Sequence, residues 1–566
     1  MDNNEGRASG SEEVERKRKK GDMGRTEWSR QTLDKRGRLD KENEKKRRKI
    51  ENGEEVRAPI YATQFSKEDI ENEQRRPKKK VAVLLGYSGT GYKGMQLSDT
   101  EKTIEGELFT AFVAAGAISK ANAADPKKSS LVRCARTDKG VHAAGNIVSL
   151  KLIVEDEDIV QKINEKLSSQ IRVWDILVAN KSFSSYQMCD SRIYEYLMPS
   201  YCFLPPHPST FLGKKIVEIA EKEGDLEAHK ARQEEVSNYW EEADEKYVRP
   251  VLEGFDEDIR ELVKNAIYHE KPEDDESLQD TPAAEKPAGD DTAKPQLTEE
   301  EEARRRRIIE AVKAVKAAYN TAKRAYRIPP ARVARVQEAL DKYLGTKNYY
   351  NYTIQKLFKD PSSKRHIKSF KVDTTPIIIN GTEWLSLKVH GQSFMMHQIR
   401  KMVAMATLIV RCGCDSKRIL DSYGPTKIAI PKAPGLGLLL ERPVFNGYNR
   451  KAEETGKKPI NFDLYATEMN EFKQREIYDR IFREEEETNA FASFFNHIDH
   501  FPQEEFLYIT SGGIPAAKAV TQPSAAAAAD SQQSEKGRKS QREALAEVEA
   551  ESEDESNLPN GGEEGG

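Results

Sequence analysis

The sequence predicts a layered domain of the α+β or α/β class that is flanked by charged tails. Apolar strand patterns and amphipathic helix patterns alternate between about residues 78 and 220, which is the order typical of layered domains. A second folded stretch spans 333–450. Charged residues make up 33% of the 566-residue chain and hydrophobic residues 37%, so a large part of the chain is expected to lie outside any core.

Five local patterns define the first folded stretch, 78–220. The run V-A-V-L-L-G reads as a buried strand closed by turn residues, and Thr103 can cap a helix whose apolar residues recur at helical spacing. A second helix pattern and two more strand patterns follow. In chain order, the predicted elements are a strand at 81–86, helices at 103–117 and 162–167, and strands at 171–179 and 191–199.

Between these elements, the octapeptide R-T-D-K-G-V-H-A at 136–143 places one carboxylate on a loop before a strand. The run N-I-V-S-L-K-L that follows has apolar residues at every second position, as a strand does. Asp138 stands between Arg136 and a Lys-Gly turn, without a partner acid, metal cluster or Ser/His pair in its motif. Such a carboxylate suits a nucleophile that works without a cofactor, whereas a simple Asp turn is the alternative interpretation.

A charged insertion at 221–332 interrupts the folded pattern. Its acidic, Pro-containing part around 272–291 is expected to be disordered. A long helix follows, with Thr298 and Glu301 as a capping box and Pro329-Pro330 at its end. The cations of this helix could follow a phosphate backbone, but a solvated charged face explains them equally well.

The second folded stretch contains a predicted strand pair and an apolar helix. The strands at 369–379 and 383–391 are joined through Asn380-Gly381, which is a hairpin signal. The helix at 394–410 carries Arg400. A cation in so apolar a helix needs either a carboxylate partner or a path by which its long side chain reaches solvent.

The two ends of the chain are polar. The segment 1–77 is expected to be disordered, and its basic clusters at 16–20 and 45–49 are typical of nuclear localisation signals, with a merely solvated tail as the alternative. A C-terminal extension at 451–508 is expected to form two helices. The acidic tail 509–566 is expected to be disordered.

Cysteine content and hydropathy limit the class of protein. Five cysteines are few and odd in number, which argues against a disulfide framework and favours a reducing compartment. The motif Cys412-Gly-Cys414 is too short and isolated to indicate a zinc site. We expect neither a membrane span, which needs roughly 18 apolar residues, nor an N-terminal signal segment. The net charge of -4 is a sum of opposing blocks and excludes no class of partner.

Six motifs occur in one order, and together they resemble the TruA-type tRNA pseudouridine synthases. They are G-Y-S-G-T-G-Y-K-G-M-Q at 86–96, R-T-D-K-G-V-H-A at 136–143, C-D-S-R-I-Y-E-Y at 189–196, G-T-K-N-Y-Y-N-Y-T at 345–353, F-M-M-H-Q-I-R-K-M-V at 394–403 and A-P-G-L-G-L-L-L at 433–440. Lys139, H-Q-I-R-K-M-V and the later motif F-F-N-H-I-D resemble the eukaryotic nuclear branch of that family, the pseudouridine synthase 1 branch. The resemblance covers about 78–215 and 335–505.

The resemblance implies an α+β fold of two α/β halves, 78–220 and 333–450, with a mixed, mostly antiparallel sheet flanking a central basic RNA-binding cleft. It implies isomerisation of uridine to pseudouridine in tRNA at several sites, with small nuclear RNA and mRNA as further substrates. No cofactor is required for this reaction. Some members of the branch are described as zinc-containing, but the sequence spells no ligand set, so no metal is assigned. We expect a monomer in the nucleus, with a mitochondrial isoform as the alternative, and no membrane partner.

The same resemblance assigns roles to four residues. Asp138 is the expected nucleophile, which attacks either C1′ of the ribose or C6 of the uracil. Arg400 is its expected ion-pair partner, because a nearby cation favours an ionised carboxylate in a site that excludes water. Tyr194 is expected to stack on the target base and to move a proton late in the reaction. Arg136 is expected to fill the space that the flipped nucleotide leaves.

Two neighbouring features are predicted to be structural. His142 is not the catalytic group in this family and is interpreted as a loop histidine. The glycines at 86–94 match neither G-x-G-x-x-G nor G-K-[ST], so no nucleotide cofactor is expected. One departure from the family follows Phe183, where Tyr186 and Gln187 stand and the usual basic residue is missing, which weakens the expected RNA contact there.

Two alternative functions remain open from the sequence. One is a relative with the same fold that acts at another position of the anticodon arm; Lys139 and the C-terminal motifs argue against it. The other is a non-catalytic RNA-binding protein or tRNA-folding chaperone on the same scaffold. The presence of Asp138, Tyr194 and Arg400 disfavours this second alternative.

Overall fold

A mixed sheet of ten strands organises the protein, and the predicted α+β class is confirmed. The computed structural model describes residues 58–268, 299–354, 356–500 and 502–518. The described residues beyond Ala58 belong to one compact unit. Within these ranges, no helix is both long enough and apolar enough to cross a membrane.

The strands are named in chain order, and the sheet does not follow that order. They are β1 (Lys79–Tyr87), β2 (Val132–Arg133), β3 (His142–Leu152), β4 (Ile171–Val178), β5 (Ser191–Pro199), β6 (Gly345–Asn348), β7 (Lys364–Val372), β8 (Ile377–Ile379), β9 (Thr382–Gly391) and β10 (Leu438–Val444). Across the sheet the order is β4-β1-β3-β10-β5-β9-β7-β6, with β2 beside β3 and β8 beside β9. Among the described strands, β3 and β10 form the one parallel pair.

The last strand, β10, lies at the centre of the sheet. Its Leu440 lies opposite Ala143 of β3 on one side and opposite Tyr194 of β5 on the other. A β-bulge between Leu440 and Arg442 leaves Glu441 as the extra residue. The two folded stretches of the sequence are therefore joined into one sheet through β10 and β5.

Helices of very different lengths surround this sheet. The described α-helices are α1 (Lys67–Glu71), α2 (Ile104–Ala114), α3 (Ile159–Lys166), α4 (Phe211–Lys222), α5 (Leu226–Ala231), α6 (Tyr239–Ala243), α7 (Arg249–Leu252), α8 (Glu257–Tyr268), α9 (Glu299–Ala325), α10 (Pro330–Asp341), α11 (Gln398–Arg411), α12 (Arg418–Asp421), α13 (Asn446–Glu454), α14 (Ala466–Phe472), α15 (Asp479–Thr488) and α16 (Ala490–His500). Thr103 caps α2 as predicted, because its hydroxyl accepts a hydrogen bond from the Gly106 N–H at 3.2 Å.

Two large apolar clusters fill the space around the sheet. One is built mainly on β1, β3 and α2 and includes Leu85 and Phe109, and the other is built on β9, α11 and the C-terminal helices and includes Met402 and Phe491. Tyr194 is half-buried and packs against both clusters. The junction between the clusters therefore coincides with the middle of the sheet.

Several predicted boundaries differ from the structure. Helix α1 lies within the segment predicted as a disordered tail, and Tyr61 packs edge-to-face on Phe109 with 6.2 Å between ring centroids, so residues 59–77 belong to the folded unit. The basic clusters near the N-terminus and the residues beyond Lys518 lie outside the described residues. The start of the tail predicted to be disordered, 509–518, is instead part of the folded unit, with Ile509 and Thr510 buried. The predicted strand at 369–379 is divided into β7 and β8.

The insertion is largely helical where it is described. The predicted long helix is confirmed as α9, and it packs on α8 through a small apolar cluster that includes Val263 and Val315. Its predicted cap, Thr298, and the acidic stretch 272–291 lie outside the described residues. The C-terminal extension forms three helices where two were predicted, and a π-helical segment, Lys473–Tyr478, joins α14 to α15.

Candidate active site

Asp138 lies on the loop between β2 and β3, at the centre of the sheet. Its side chain is half-buried, and its carbonyl oxygen accepts a hydrogen bond from the Val141 N–H at 3.1 Å. Gly140 turns the chain here with a φ of +75°, in the left-handed region that favours glycine. The turn delivers the chain into β3, whose first residues pair with β10.

The glycine-rich segment 86–95 holds this loop by backbone contacts. The Met95 N–H donates to the Thr137 carbonyl at 3.1 Å, and the Gly140 N–H donates to the Tyr92 carbonyl at 3.3 Å. A Cβ atom on Gly94 would lie 2.8 Å from the Thr137 carbonyl oxygen, so the two backbones meet where only glycine fits. The glycines in this segment thus support the loop that carries Asp138.

A buried polar network lies beneath the same loop. The Tyr87 hydroxyl is 2.8 Å from the Thr137 hydroxyl and accepts a hydrogen bond from Asn146 Nδ2 at 3.1 Å. Asn146 Nδ2 also donates to the Ala135 carbonyl at 3.1 Å. Sequence reasoning missed these supporting residues, although a buried Asn within the apolar strand β3 was a signal for them.

His142 is a buried, neutral residue that braces the glycine-rich segment. The Gly89 N–H donates to its Nδ1 at 3.1 Å, so Nδ1 acts as an acceptor. Burial lowers the pKa of His142 to about 4. These observations support its interpretation as a structural histidine.

Tyr194 lies one strand away from the start of β3. Leu440 of β10 separates it from Ala143, and Phe394 packs edge-to-face on its ring with 5.3 Å between centroids. Burial raises the pKa of Tyr194 to about 12; Arg192 opposes this shift, and the negative charge of Asp138 adds to it. The hydroxyl is therefore protonated at neutral pH.

Arg400 lies in the first turn of α11, next to the chain segment that enters β10. Its Nε donates to the Ala433 carbonyl at 2.6 Å, and its Nη1 would lie 3.4 Å from a Cβ atom on Gly435. The predicted helix at 394–410 begins later than expected, at Gln398, because His397 adopts a φ of +60° and cannot continue it. An ion pair between Arg400 and Asp138 stays a prediction.

Arg136 and Tyr186 are exposed. Arg136 precedes Asp138 by two positions. Tyr186 is 59% exposed, whereas Phe183 is buried and its ring centroid lies 4.5 Å from that of Tyr448. Of the three expected catalytic residues, Tyr194 lies opposite Leu440 of β10, Asp138 lies on the loop that leads into the neighbouring strand β3, and Arg400 contacts the segment that leads into β10; Arg136 is exposed.

Cys412 and Cys414 are separate buried thiols. Burial raises the pKa of Cys414 to about 12, which disfavours the thiolate that a metal ion would bind. Within the described ranges, no three His, Cys, Asp or Glu side chains come together as metal ligands would. The residues that the structure describes therefore do not fit a bound zinc ion.

Comparisons with known proteins agree with the geometry. The family model described as tRNA pseudouridine synthase matches residues 339–446. The chain is 44% identical over 474 residues to tRNA pseudouridine synthase 1 of Eremothecium gossypii, covering 83% of each chain. It is 41% identical over 496 residues to tRNA pseudouridine synthase 1 of Schizosaccharomyces pombe, covering 80% of this chain and 90% of the relative. It is 35% identical over 420 residues to tRNA pseudouridine(27/28) synthase of Saccharomyces cerevisiae, covering 74% of this chain and 98% of the relative.

Proposed function

This chain belongs to the TruA family of tRNA pseudouridine synthases and is an isomerase, and from that premise we propose that it converts uridine to pseudouridine at several sites in tRNA, with Asp138 as nucleophile. The observation that supports the proposal is the position of β10, which pairs with the start of the strand after Asp138 on one side and with Tyr194 on the other, while Arg400 contacts the segment that leads into β10. Three separate stretches of sequence contribute these residues, so local sequence alone does not explain their placement.

Asp138 performs the covalent step in this proposal. Its carboxylate attacks either C1′ of the ribose or C6 of the uracil, and the bond between C1′ and N1 breaks. The base then turns, a new bond joins C1′ to C5, and the bond between Asp138 and the substrate breaks. The hydrogen on C5 leaves as a proton and N1 gains a proton, so that atoms balance between the two isomers. No electron carrier is needed, because the substrate and product are isomers.

Arg400 keeps Asp138 ionised and oriented. A carboxylate in a site that excludes water loses hydration, and a guanidinium nearby offsets that loss. The position of Arg400 beside Gly435 and the start of β10 supports this role, because β10 pairs directly with the strand that follows Asp138.

Tyr194 supports the flipped base. Its ring offers a stacking surface worth about 1–3 kcal/mol per base. With a pKa of about 12, its hydroxyl acts at neutral pH as a hydrogen-bond or proton donor. Arg136, at the surface beside Asp138, occupies the space left by the flipped nucleotide.

The range of substrates follows the more similar relatives. Identity to proteins named tRNA pseudouridine synthase 1 is 41–45%, against 35% to the protein named for positions 27/28. The names of these relatives support tRNA as the substrate. Several sites in tRNA, with small nuclear RNA and mRNA as further substrates, are proposed from the resemblance of the motifs alone. The basic clusters at 16–20 and 45–49 favour a nuclear location.

Tritium release from tRNA transcripts labelled at uridine C5 tests the proposal. Formation of the new bond at C5 must expel that hydrogen, so wild-type protein should release tritium and Asp138→Ala should not, with RNA binding intact. Asp156→Asn removes a carboxylate from a surface ion pair with Arg76 and is the matched control, which should keep wild-type release. Tight binding of a full tRNA set without release by the wild type would instead support the chaperone alternative.

A further inference from the structure

A buried cluster of charges lies behind the candidate site, where the C-terminal extension meets the sheet. Lys473 Nζ donates to Glu195 Oε2 at 2.9 Å and to Glu441 Oε2 at 2.7 Å. The side chains of Lys473 and Glu195 are 7% and 2% exposed, and that of Glu441 is 23% exposed. One ammonium group therefore joins two carboxylates in a nearly dry environment.

Both carboxylate oxygens of Glu195 also accept hydrogen bonds from hydroxyl groups. The Tyr478 hydroxyl donates to Glu195 Oε2 at 2.8 Å, and the Ser386 hydroxyl donates to Glu195 Oε1. Burial by itself would raise the pKa of Glu195, but Lys473 and Ser386 hold it below its ordinary value. The cluster thus keeps its charges and links β5, β9 and β10 to the C-terminal extension.

The π-helical segment Lys473–Tyr478 makes this arrangement geometrically accessible. In a regular α-helix, residues five positions apart point in directions that differ by about 140°, so Lys473 and Tyr478 could not share a face. The wider π turn brings both side chains to Glu195. Such segments are frequent at functional sites.

The cluster is in register with Tyr194. Glu195 is the next residue in β5, and successive side chains of a strand point to opposite faces, so Glu195 anchors the face opposite to Tyr194. Glu441 is the bulged residue next to Leu440, which lies directly opposite Tyr194. Lys473 therefore joins the two strands at the level of the aromatic ring that faces the site.

We propose that Lys473 is a positioning residue of the isomerase, which holds β5 against β10 and so fixes Tyr194 relative to Asp138. The inference rests on the proposed role of Tyr194. Without Lys473, the buried carboxylate of Glu195 and the partly exposed carboxylate of Glu441 would lie together without a cation, and water would enter between the side chains that now join the two strands. A displacement of about 1 Å at a substrate-positioning group can lower the rate on the order of 100-fold.

The experiment compares Lys473→Met with Arg411→Met in the full chain. Arg411 forms a buried ion pair with Asp499, and the two side chains are 5% and 7% exposed, so both variants remove the cation of a comparable buried pair. We expect Lys473→Met to lower kcat for tRNA by about 10- to 100-fold with little change in KM. Arg411→Met should lose thermal stability and keep its kcat at temperatures where it is folded.

Hydrogen exchange supplies a readout that a general loss of stability would not produce. In Lys473→Met, faster exchange should be confined to β5 and β10 around Tyr194 and Leu440. Lys473→Arg should recover part of kcat, because a guanidinium can also bridge two carboxylates. If Lys473→Met does not fold, Glu441→Gln can be used instead, because it removes one of the two ion pairs of Lys473 at a partly exposed position. It should lower kcat by roughly several-fold, which is less than the decrease expected for Lys473→Met.

Three results would overturn the proposal. They are an unchanged kcat in Lys473→Met or Glu441→Gln, a loss confined to KM, and exchange that increases throughout the sheet as in Arg411→Met. Tyr194→Leu in the same assay distinguishes a failure of the proposed role of Tyr194 from a failure of the proposed positioning role of Lys473. If Tyr194→Leu is as fast as the wild type, the role of Tyr194 and the inference fail together; if it is slow while Lys473→Met is fast, only the positioning role fails.

Discussion

Replacement of Gly94 by alanine should slow catalysis although Gly94 lies outside the expected catalytic set. Its φ of +101° is in the region that non-glycine residues rarely adopt. A Cβ atom there would lie 2.8 Å from the Thr137 carbonyl oxygen and 3.3 Å from the carbonyl carbon of Asp138. The methyl group would therefore collide with the backbone that carries Asp138, the proposed nucleophile.

The magnitude follows from two separable effects. Backbone strain at such a φ costs about 1–3 kcal/mol of stability. An ordinary contact between a methyl carbon and an oxygen is longer than 2.8 Å by several tenths of an ångström, so the loop with Asp138 must shift by about that amount. Because a shift of about 1 Å can cost on the order of 100-fold in rate, we expect Gly94→Ala to lower the single-turnover rate by roughly 10-fold or more.

Gly91→Ala is the matched control in the same segment. Gly91 has a φ of +82°, and no atom lies within 4 Å of the added Cβ position, so this variant carries the strain without the collision. Tritium release in single turnover and urea unfolding should be measured for both variants. Equal rates for Gly91→Ala and Gly94→Ala at saturating enzyme would refute the argument that backbone contact positions Asp138.

Two further predictions concern the network around the loop. Because burial lowers the pKa of His142 from 6.5 to about 4, its neutral form stabilises the fold fully above pH 6.5, and this contribution of about 3 kcal/mol is lost as pH falls toward 4. The free energy of unfolding in urea should therefore decline over that pH range in the wild type, and less steeply in His142→Asn. If the two variants showed the same dependence on pH, His142 would not be a buried neutral histidine. Tyr87→Phe leaves Thr137 and Asn146 without their shared partner and should lower the free energy of unfolding by about 1–3 kcal/mol, and a loss well below 1 kcal/mol would mean that the network is dispensable.

Elements with a strong local signal were predicted well. The strand at 171–179 corresponds to β4, and the hairpin through Asn380-Gly381 forms with positive φ at both residues, as its turn type requires. The helix after Thr103 begins where its cap indicates. In these cases, the determinant lies within a few residues of the element.

The order of strands and the supports of the site were not predictable in this way. Nothing in the sequence of β10 indicates that it enters the sheet between β3 and β5. Likewise, Lys473 contacts Glu195 across a separation of 278 residues, and its own helix pattern gives no sign of the partner. The break between β7 and β8 was missed although Asp373 and Pro376 were signals for it; the Thr375 N–H donates to Asp373 Oδ1 at 3.0 Å in the turn between the two strands. The late start of α11 was missed because a residue other than glycine, such as His397, rarely adopts a left-handed conformation.

The strand β5 shows why distant parts of the chain determine the position of one aromatic ring. Arg192 and Tyr194 are two positions apart and point to the same face, and Arg192 Nη2 donates to the carbonyl of Cys134 at 2.8 Å, at the start of the segment that leads to Asp138. Glu195 points to the other face and is held by Lys473. The strand that carries Tyr194 is therefore held from both faces, by the segment that leads to Asp138 and by the C-terminal extension. If Tyr194 and Asp138 act as proposed, this double anchoring gives the C-terminal extension a direct part in their relative placement.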